Sequence, residues 1–290
     1  MAEITASMVK ELREMTGAGM MECKKALVDA GADIEKAIDL LRARGLAAVA
    51  KKAGRATNEG LAATIVADDG MSASLVEVNC ETDFVARNEL FGTYVAKIAK
   101  AVLDNDPSDI DALKACPLEG KTVDDLLTDA IHTIGENIQV SRFVCRTVEC
   151  GAISSYIHGG GRLGILVQFK LGNAAAAQNE QFKVMAKDIA MQVAAANPGA
   201  VTREGFAPEL IEREMAIYRA KAAESGKPEA IQQKIAEGNL KKFYQENALV
   251  EQAFVKDPEK TVQDVVNAVA KSLGVTIEII GFDRFAVGQG

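Results

Sequence analysis

At 290 residues with 48% apolar side chains, the chain is long enough for about two domains of typical size, each with a real core. Its formal net charge of −8 argues against a protein whose main task is to grip phosphate backbones, because that affinity comes from clustered Lys and Arg. Aromatics are scarce at 5%, Trp is absent and Ala is abundant, which points to helix-rich packing through small side chains.

The chain opens with Met1-Ala2-Glu3-Ile4-Thr5, which has neither the basic region nor the apolar stretch of a signal peptide. No run approaches the ~18 apolar residues of a membrane span, so a cytoplasmic protein is expected. The five cysteines, Cys23, Cys80, Cys116, Cys145 and Cys150, are odd in number, widely spaced and without a C-x-x-C. They read as reduced thiols, and neither a disulfide framework nor a zinc site is expected.

Thr5 is placed to cap a helix over Ala6–Met15, with Met8, Val9 and Leu12 on one face. Thr16-Gly17-Ala18-Gly19 breaks it. A second helix runs from Met20 to about Asp29 and stops at Gly31. Asp33 caps a third over Ile34–Arg44, with Ile34, Ala37, Ile38 and Leu41 at helical spacing, and Gly45 is expected to end it. This bundle, residues 1–50, suits binding rather than catalysis. Met20 and Met21 stand beside its first turn, either in the core or as adaptable apolar contacts for a partner helix. A short helix and a linker over 51–60 follow.

From Leu61 the hydrophobic period changes. Ala63–Val66 and Ser74–Val78 flank Asp68-Asp69-Gly70, a hairpin signal. A helix over about Asn88–Leu103, a polar loop from Pro107, a helix over Thr122–Ile134 and a strand over Ile138–Val148 complete a unit, residues 61–150. Shifting the chain by 91 residues places Leu75-Val76 on Leu166-Val167, Asn88-Glu89 on Asn179-Glu180, Phe91 on Phe182 and Ile98-Ala99 on Ile189-Ala190. Shifting by 139 places Thr122-Val123 on Thr261-Val262, Asp125 on Asp264 and Gly135 on Gly274. Residues 151–290 therefore read as a second hairpin–helix–helix–strand unit with an insertion over 205–250. That insertion reads as an antiparallel helical hairpin, Pro208–Glu224 and Pro228–Glu246, with Ile211, Met215 and Tyr218 facing Ile231, Ile235 and Phe243. The fold class is α+β.

The two units disagree at one corner. Thr82-Asp83-Phe84-Val85 falls on Asn173-Ala174-Ala175-Ala176, so the turn can be built without an acid and an aromatic. Phe84 is then a candidate exposed anchor for a partner protein. The alternative is that Phe84 packs on the neighbouring bundle and Asp83 caps the next helix. His158-Gly159-Gly160-Gly161-Arg162-Leu163-Gly164 holds a G-x-G-x-x-G, but it lies between two strands and reads as a turn, not a dinucleotide site. His158 falls on Ala67, and so is either a surface residue or a partner contact. No catalytic constellation assembles, so the chain is read as not an enzyme, with no metal and no cofactor.

Leu12–Leu27, with Thr16-Gly17-Ala18-Gly19-Met20-Met21-Glu22-Cys23-Lys24-Lys25, resembles the first signature of bacterial elongation factor Ts. Asn79-Cys80-Glu81-Thr82-Asp83-Phe84-Val85-Ala86-Arg87 resembles its second. Ser155-Tyr156-Ile157-His158 and Gly238-Asn239-Leu240-Lys241-Lys242-Phe243 also fit, and the resemblance covers essentially the whole chain. It implies a ubiquitin-associated-like N-terminal bundle, two related core subdomains and a coiled-coil insertion. It also implies guanine nucleotide exchange on elongation factor Tu. By that resemblance Asp83 and Phe84, with Thr82 and Val85, enter between helices of Tu's G domain and disturb its Mg²⁺ and phosphate site. Met20 and Met21 would touch another G-domain helix, and His158 Tu's third domain. Tu, GDP-bound or nucleotide-free, is the expected partner. Stable nucleic-acid or membrane binding is not expected, and a homodimer is left open. Some members of that family continue into a C-terminal helix that also touches Tu. This sequence stops at Val287-Gly288-Gln289-Gly290, and a weaker hold on Tu is expected. The rival reading is a non-catalytic binding or chaperone module for a GTPase.

Overall fold

The computed structural model describes residues 4–16 and 18–289. Gly17 of the expected first break and Gly290 lie outside the described residues. Helices α1 (Ala6–Thr16), α2 (Met20–Asp29) and α3 (Ile34–Lys52) form a bundle around Leu12, Cys23, Ala26, Leu27, Ala37 and Leu41. The Thr5 hydroxyl accepts from Met8 N at 3.3 Å, and Asp33 accepts from Lys36 N at 3.0 Å. The third helix corrects one expectation. It runs through Gly45 to Lys52 instead of stopping at Arg44. A lone helical glycine costs only about 1 kcal/mol, less than tertiary contacts can offset. Here it also gives clearance, because a Cβ at Gly45 would come 3.1 Å from Thr128 Cγ2 on a later helix.

Strands β1 (Glu59–Val66) and β2 (Ser72–Cys80) pair antiparallel around Asp69-Gly70. Then come α4 (Asp83–Ala86), α5 (Glu89–Asn105), α6 (Ile110–Ala115), the small hairpin β3 (Pro117–Leu118) and β4 (Lys121–Thr122), α7 (Val123–Ile134) and β5 (Gln139–Thr147). The last strand pairs with the other side of β2, giving the order β1-β2-β5. The expected polar loop after Pro107 is thus partly helical. Asp109 caps α6 by accepting from Ala112 N at 2.8 Å, and Leu113 anchors it in the core.

The second sheet contains β6 (Gly151–His158) and β7 (Leu163–Leu171). After it come α8 (Glu180–Ala196), the projecting pair α9 (Pro208–Ala223) and α10 (Glu229–Asn247), the short hairpin β8 (Ala253–Phe254) and β9 (Asp257–Thr261), α11 (Val262–Leu273) and β10 (Ile277–Ala286). The sheet order is β10-β7-β6. Within α9 and α10, Ala222 and Ala236 are buried, where small side chains let the helices approach. Ile231 is 44% exposed, so it does not belong to the inward face assigned to it above.

The sequence offsets recur as geometry. At 91 residues, β2 coincides with β7 and α5 with α8, end to end. Asn88 and Asn179 cap the two helices, and both end in a left-handed residue, Asp106 and Asn197. At 139 residues, α7 coincides with α11; Thr122–Asp125 and Thr261–Asp264 form matching capping boxes, and Gly135 and Gly274 end them left-handed. Even the irregularity repeats: β5 bulges at Ser141 and β10 at Ile280. Gly60 and Gly151 are matched by steric need, since a Cβ would sit 2.3 Å from Val78 O and 1.8 Å from Phe169 O respectively.

Each sheet packs its helices on one face. Val76, Val78, Phe91, Ile98, Val102 and Val123 fill the first core, and Val167, Phe169, Phe182, Ile189, Val193 and Val262 the second. The opposite faces meet through Ala62, Ala73, Leu75, Ile153, Leu166 and Phe285. Arg146 spans this seam with a bidentate pair to Asp283 at 2.9 and 2.7 Å.

Candidate partner-binding site

Strand β2 delivers the chain to the corner that the two units do not share. Thr82 is extended, and its hydroxyl accepts from Val85 N at 3.3 Å, so Thr82 is the cap of α4. Asp83 therefore does not cap. It lies beside Arg87 Nη2 at 3.2 Å, an exposed pair of little energetic weight. Val85 turns inward against the first core, and Ala86 is buried. Phe84 is 83% exposed. It does not pack on the bundle, which removes the alternative of an internal role.

A set of hydrogen bonds holds this corner from behind. The Glu136 carboxylate accepts from Thr82 Oγ1 at 2.6 Å, Thr82 N at 3.0 Å and Glu81 N at 3.0 Å. The Glu81 carboxylate accepts from Asn137 N at 2.6 Å and from Arg55 Nη1 at 3.2 Å. Asn137 Nδ2 donates to Arg55 O at 2.8 Å, tying in the segment that leaves α3. Beneath, the Cys80 thiol donates to Thr82 O. Burial, reinforced by the Glu136 charge, pushes that thiol up to about 12, so it stays protonated and inert. The sequence reading passed over Glu81 and Glu136. The signal was available, because Glu81 falls on Gly172 at the 91-residue offset that singled out Phe84, and Glu136 on Val275 at the 139-residue offset.

The matching corner of the second unit is a turn of 3-10 helix, Ala174–Gln178, capped by Asn173 through Ala175 N at 3.0 Å. Its Gly172 N donates to Thr276 O at 2.9 Å, a backbone bond in place of the carboxylate. Ala174 and Ala175 are exposed and present nothing.

Met20 and Met21 begin α2 and are 57% and 75% exposed, so neither is a core residue. Helix α7 connects them to the corner. Near its end His132 Nε2 lies 3.0 Å from Glu22 Oε2, and Glu136 follows just past its last turn. Arg42 to Asp125 at 2.8 Å and Lys52 Nζ to Ile131 O at 2.9 Å complete the docking of the bundle. His158 stands apart, exposed at the end of β6, with Nδ1 3.0 Å from Tyr156 Oη. Gly159, Gly160 and Gly161 all have positive φ and make the β6–β7 turn, not a phosphate cradle at a helix start. Among the described residues, no His, Cys, Asp or Glu cluster has metal-holding geometry, and no helix is long and apolar enough to cross a membrane.

Residues 81–289 match the family model described as Elongation factor TS. The chain is 48% identical to elongation factor Ts of Trichlorobacter lovleyi over 290 residues, covering 99% of this chain and 93% of that protein. It is 48% identical to elongation factor Ts of Desulfovibrio desulfuricans, covering 98% of each. Against elongation factor Ts of Clostridium perfringens it is 46% identical over 99% of this chain and 94% of that protein. With matches of this extent, the chain belongs to the elongation factor Ts family of translation elongation factors.

Proposed function

We propose that this chain is a guanine nucleotide exchange factor that binds elongation factor Tu·GDP, disturbs its Mg²⁺ and phosphate site and promotes GDP release. The observation that carries this reading is Phe84, 83% exposed on a corner whose duplicate is built from alanines. A large aromatic side chain left in water at a position the fold does not require suits the anchor of an interface. Thr82 and Val85 fix the turn, and Asp83 adds a carboxylate beside the ring. Met20, Met21 and His158 are the further contacts in this reading.

An exchange factor transforms no substrate. It shifts its partner's equilibrium only by the difference in its affinity for the nucleotide-free and GDP-bound states. Mg²⁺ and phosphate contacts hold the nucleotide electrostatically, so displacing the ion speeds GDP release. The chain needs no metal or cofactor of its own for this and is not an enzyme in the bond-making sense. In the same reading the protein is cytoplasmic, divides into a ubiquitin-associated-like bundle (1–50), a linker (51–60) and two core subdomains (61–150 and 151–290), and carries a coiled-coil arm (205–250).

Release of labelled GDP from Tu tests this, with no factor, with wild type, and with Asp83→Ala and Phe84→Ala. Acceleration by wild type, reduced in both variants, supports the reading. Binding to Tu without acceleration would leave a chaperone-type binding module.

A further inference from the structure

We propose that Glu136 is a positioning residue for exchange: its carboxylate locks the corner so that Phe84 meets the partner in one fixed orientation. This rests on the exchange reading of the same site. Three donors converge on that carboxylate, Thr82 Oγ1 at 2.6 Å and the amides of Thr82 and Glu81 at 3.0 Å each. Hydrogen bonds to an ionised acceptor are short and strong, and three from two adjacent residues leave the backbone little freedom. An exposed aromatic on a loose turn loses mobility when it docks, whereas one on a fixed turn has already lost it.

The second unit supplies the control. Its corner turns the chain at the same place with Val275 where Glu136 stands and a backbone acceptor for Gly172 N. The fold therefore does not demand a carboxylate there. The carboxylate occurs in the unit that displays Phe84 and is missing from the unit that displays alanine. Glu81 extends the lock to Arg55, and so to the segment leaving the bundle that carries Met20 and Met21.

The test is GDP release from Tu at saturating and sub-saturating factor, for wild type, Glu136→Ala, Glu136→Gln, Phe84→Ala and the Phe84→Ala/Glu136→Ala double variant, with Tm recorded for each. Glu136→Ala should lower the maximal rate about tenfold with a smaller change in the half-saturating concentration, because the wedge acts in the nucleotide-loosened state. Glu136→Gln keeps one acceptor oxygen and should fall between the two; it decides the matter if the alanine variant does not stay folded. The double variant should be no slower than Phe84→Ala alone, since Glu136 acts through Phe84. An undiminished maximal rate in Glu136→Gln and Glu136→Ala, or fully additive losses in the double variant, would overturn the assignment. Failure of wild type to accelerate release would instead refute the exchange reading, and the assignment with it.

Discussion

The two corners of the core stand at the same place in the same sheet plan, one a short α-helical turn and the other a turn of 3-10 helix, and they differ in what they display and how they are held. At Asn173–Gln178 a short turn capped by an asparagine presents two alanines. At Thr82–Ala86 a threonine cap, three bonds to Glu136 and a salt bridge from Glu81 to Arg55 hold up an exposed phenylalanine. An internal duplication thus separates two demands that a single domain would confound. Features present in both units answer to the fold. Features present in one answer to what that unit alone does, docking the bundle or meeting a partner.

That division can be broken by experiment. Shared positions should cost stability, and the largest loss is expected at the paired glycines. Gly151→Ala should destabilise by about 3 kcal/mol and Gly60→Ala by about 2 kcal/mol, because a Cβ at either drives into a backbone carbonyl. Urea unfolding measures both, and a neutral result at either would mean the strand there can shift. Unshared positions that face solvent, Phe84 foremost, should cost exchange and leave stability alone. Phe84→Ala should slow catalysed GDP release about thirtyfold, the size of an anchor worth ~2 kcal/mol, with no loss of Tm. A drop in Tm with normal exchange would reverse the assignment of Phe84 to the partner.

Smaller effects sharpen the comparison. Thr122→Ala and Thr261→Ala each remove one side of a matching capping box and should each cost about 1 kcal/mol. The two should be close in size, and a large inequality would show that the units carry unequal shares of stability. The smallest difference lies in their acid response. The Thr122 hydroxyl foremost, with the Thr122 amide and Arg42, holds Asp125 below the usual aspartate value of 3.8, and the Thr261 amide and hydroxyl do the same for Asp264. A carboxylate with a lowered folded-state pKa contributes stability above its unfolded value, and that contribution disappears as pH falls through the folded one. Asp125→Asn should therefore flatten the stability profile below pH 3.8 more than Asp264→Asn, because only Asp125 also pairs with the bundle, through Arg42 at 2.8 Å. Equal flattening would mean that the Arg42 pair adds no more at Asp125 than the nearby Lys260 charge does at Asp264.

Much of this was legible without coordinates. The hairpin signals, the caps at Asp33 and Thr122, and the two offsets are local patterns, fixed by which residues can end a helix or turn a strand. Gly45 misled, because a glycine stops a helix only when nothing beyond it holds the next turn, and here α3 continues along α7. Ile231 misled for a related reason: the crossing of two helices, not the spacing within one, decides which residues turn inward.

By itself the sequence determined the α+β plan, the duplication and the mismatch at Asp83-Phe84, since each depends on residue types at fixed spacings. Only the tertiary structure decided that Phe84 points into solvent, that Thr82 and not Asp83 caps the turn, and that Glu136 holds it. Exposure and clamping are relations between segments far apart in the chain, with Glu136 reaching Thr82 across 54 residues. No local spacing encodes such a meeting; the packing of α7 against α3 and α5 creates it.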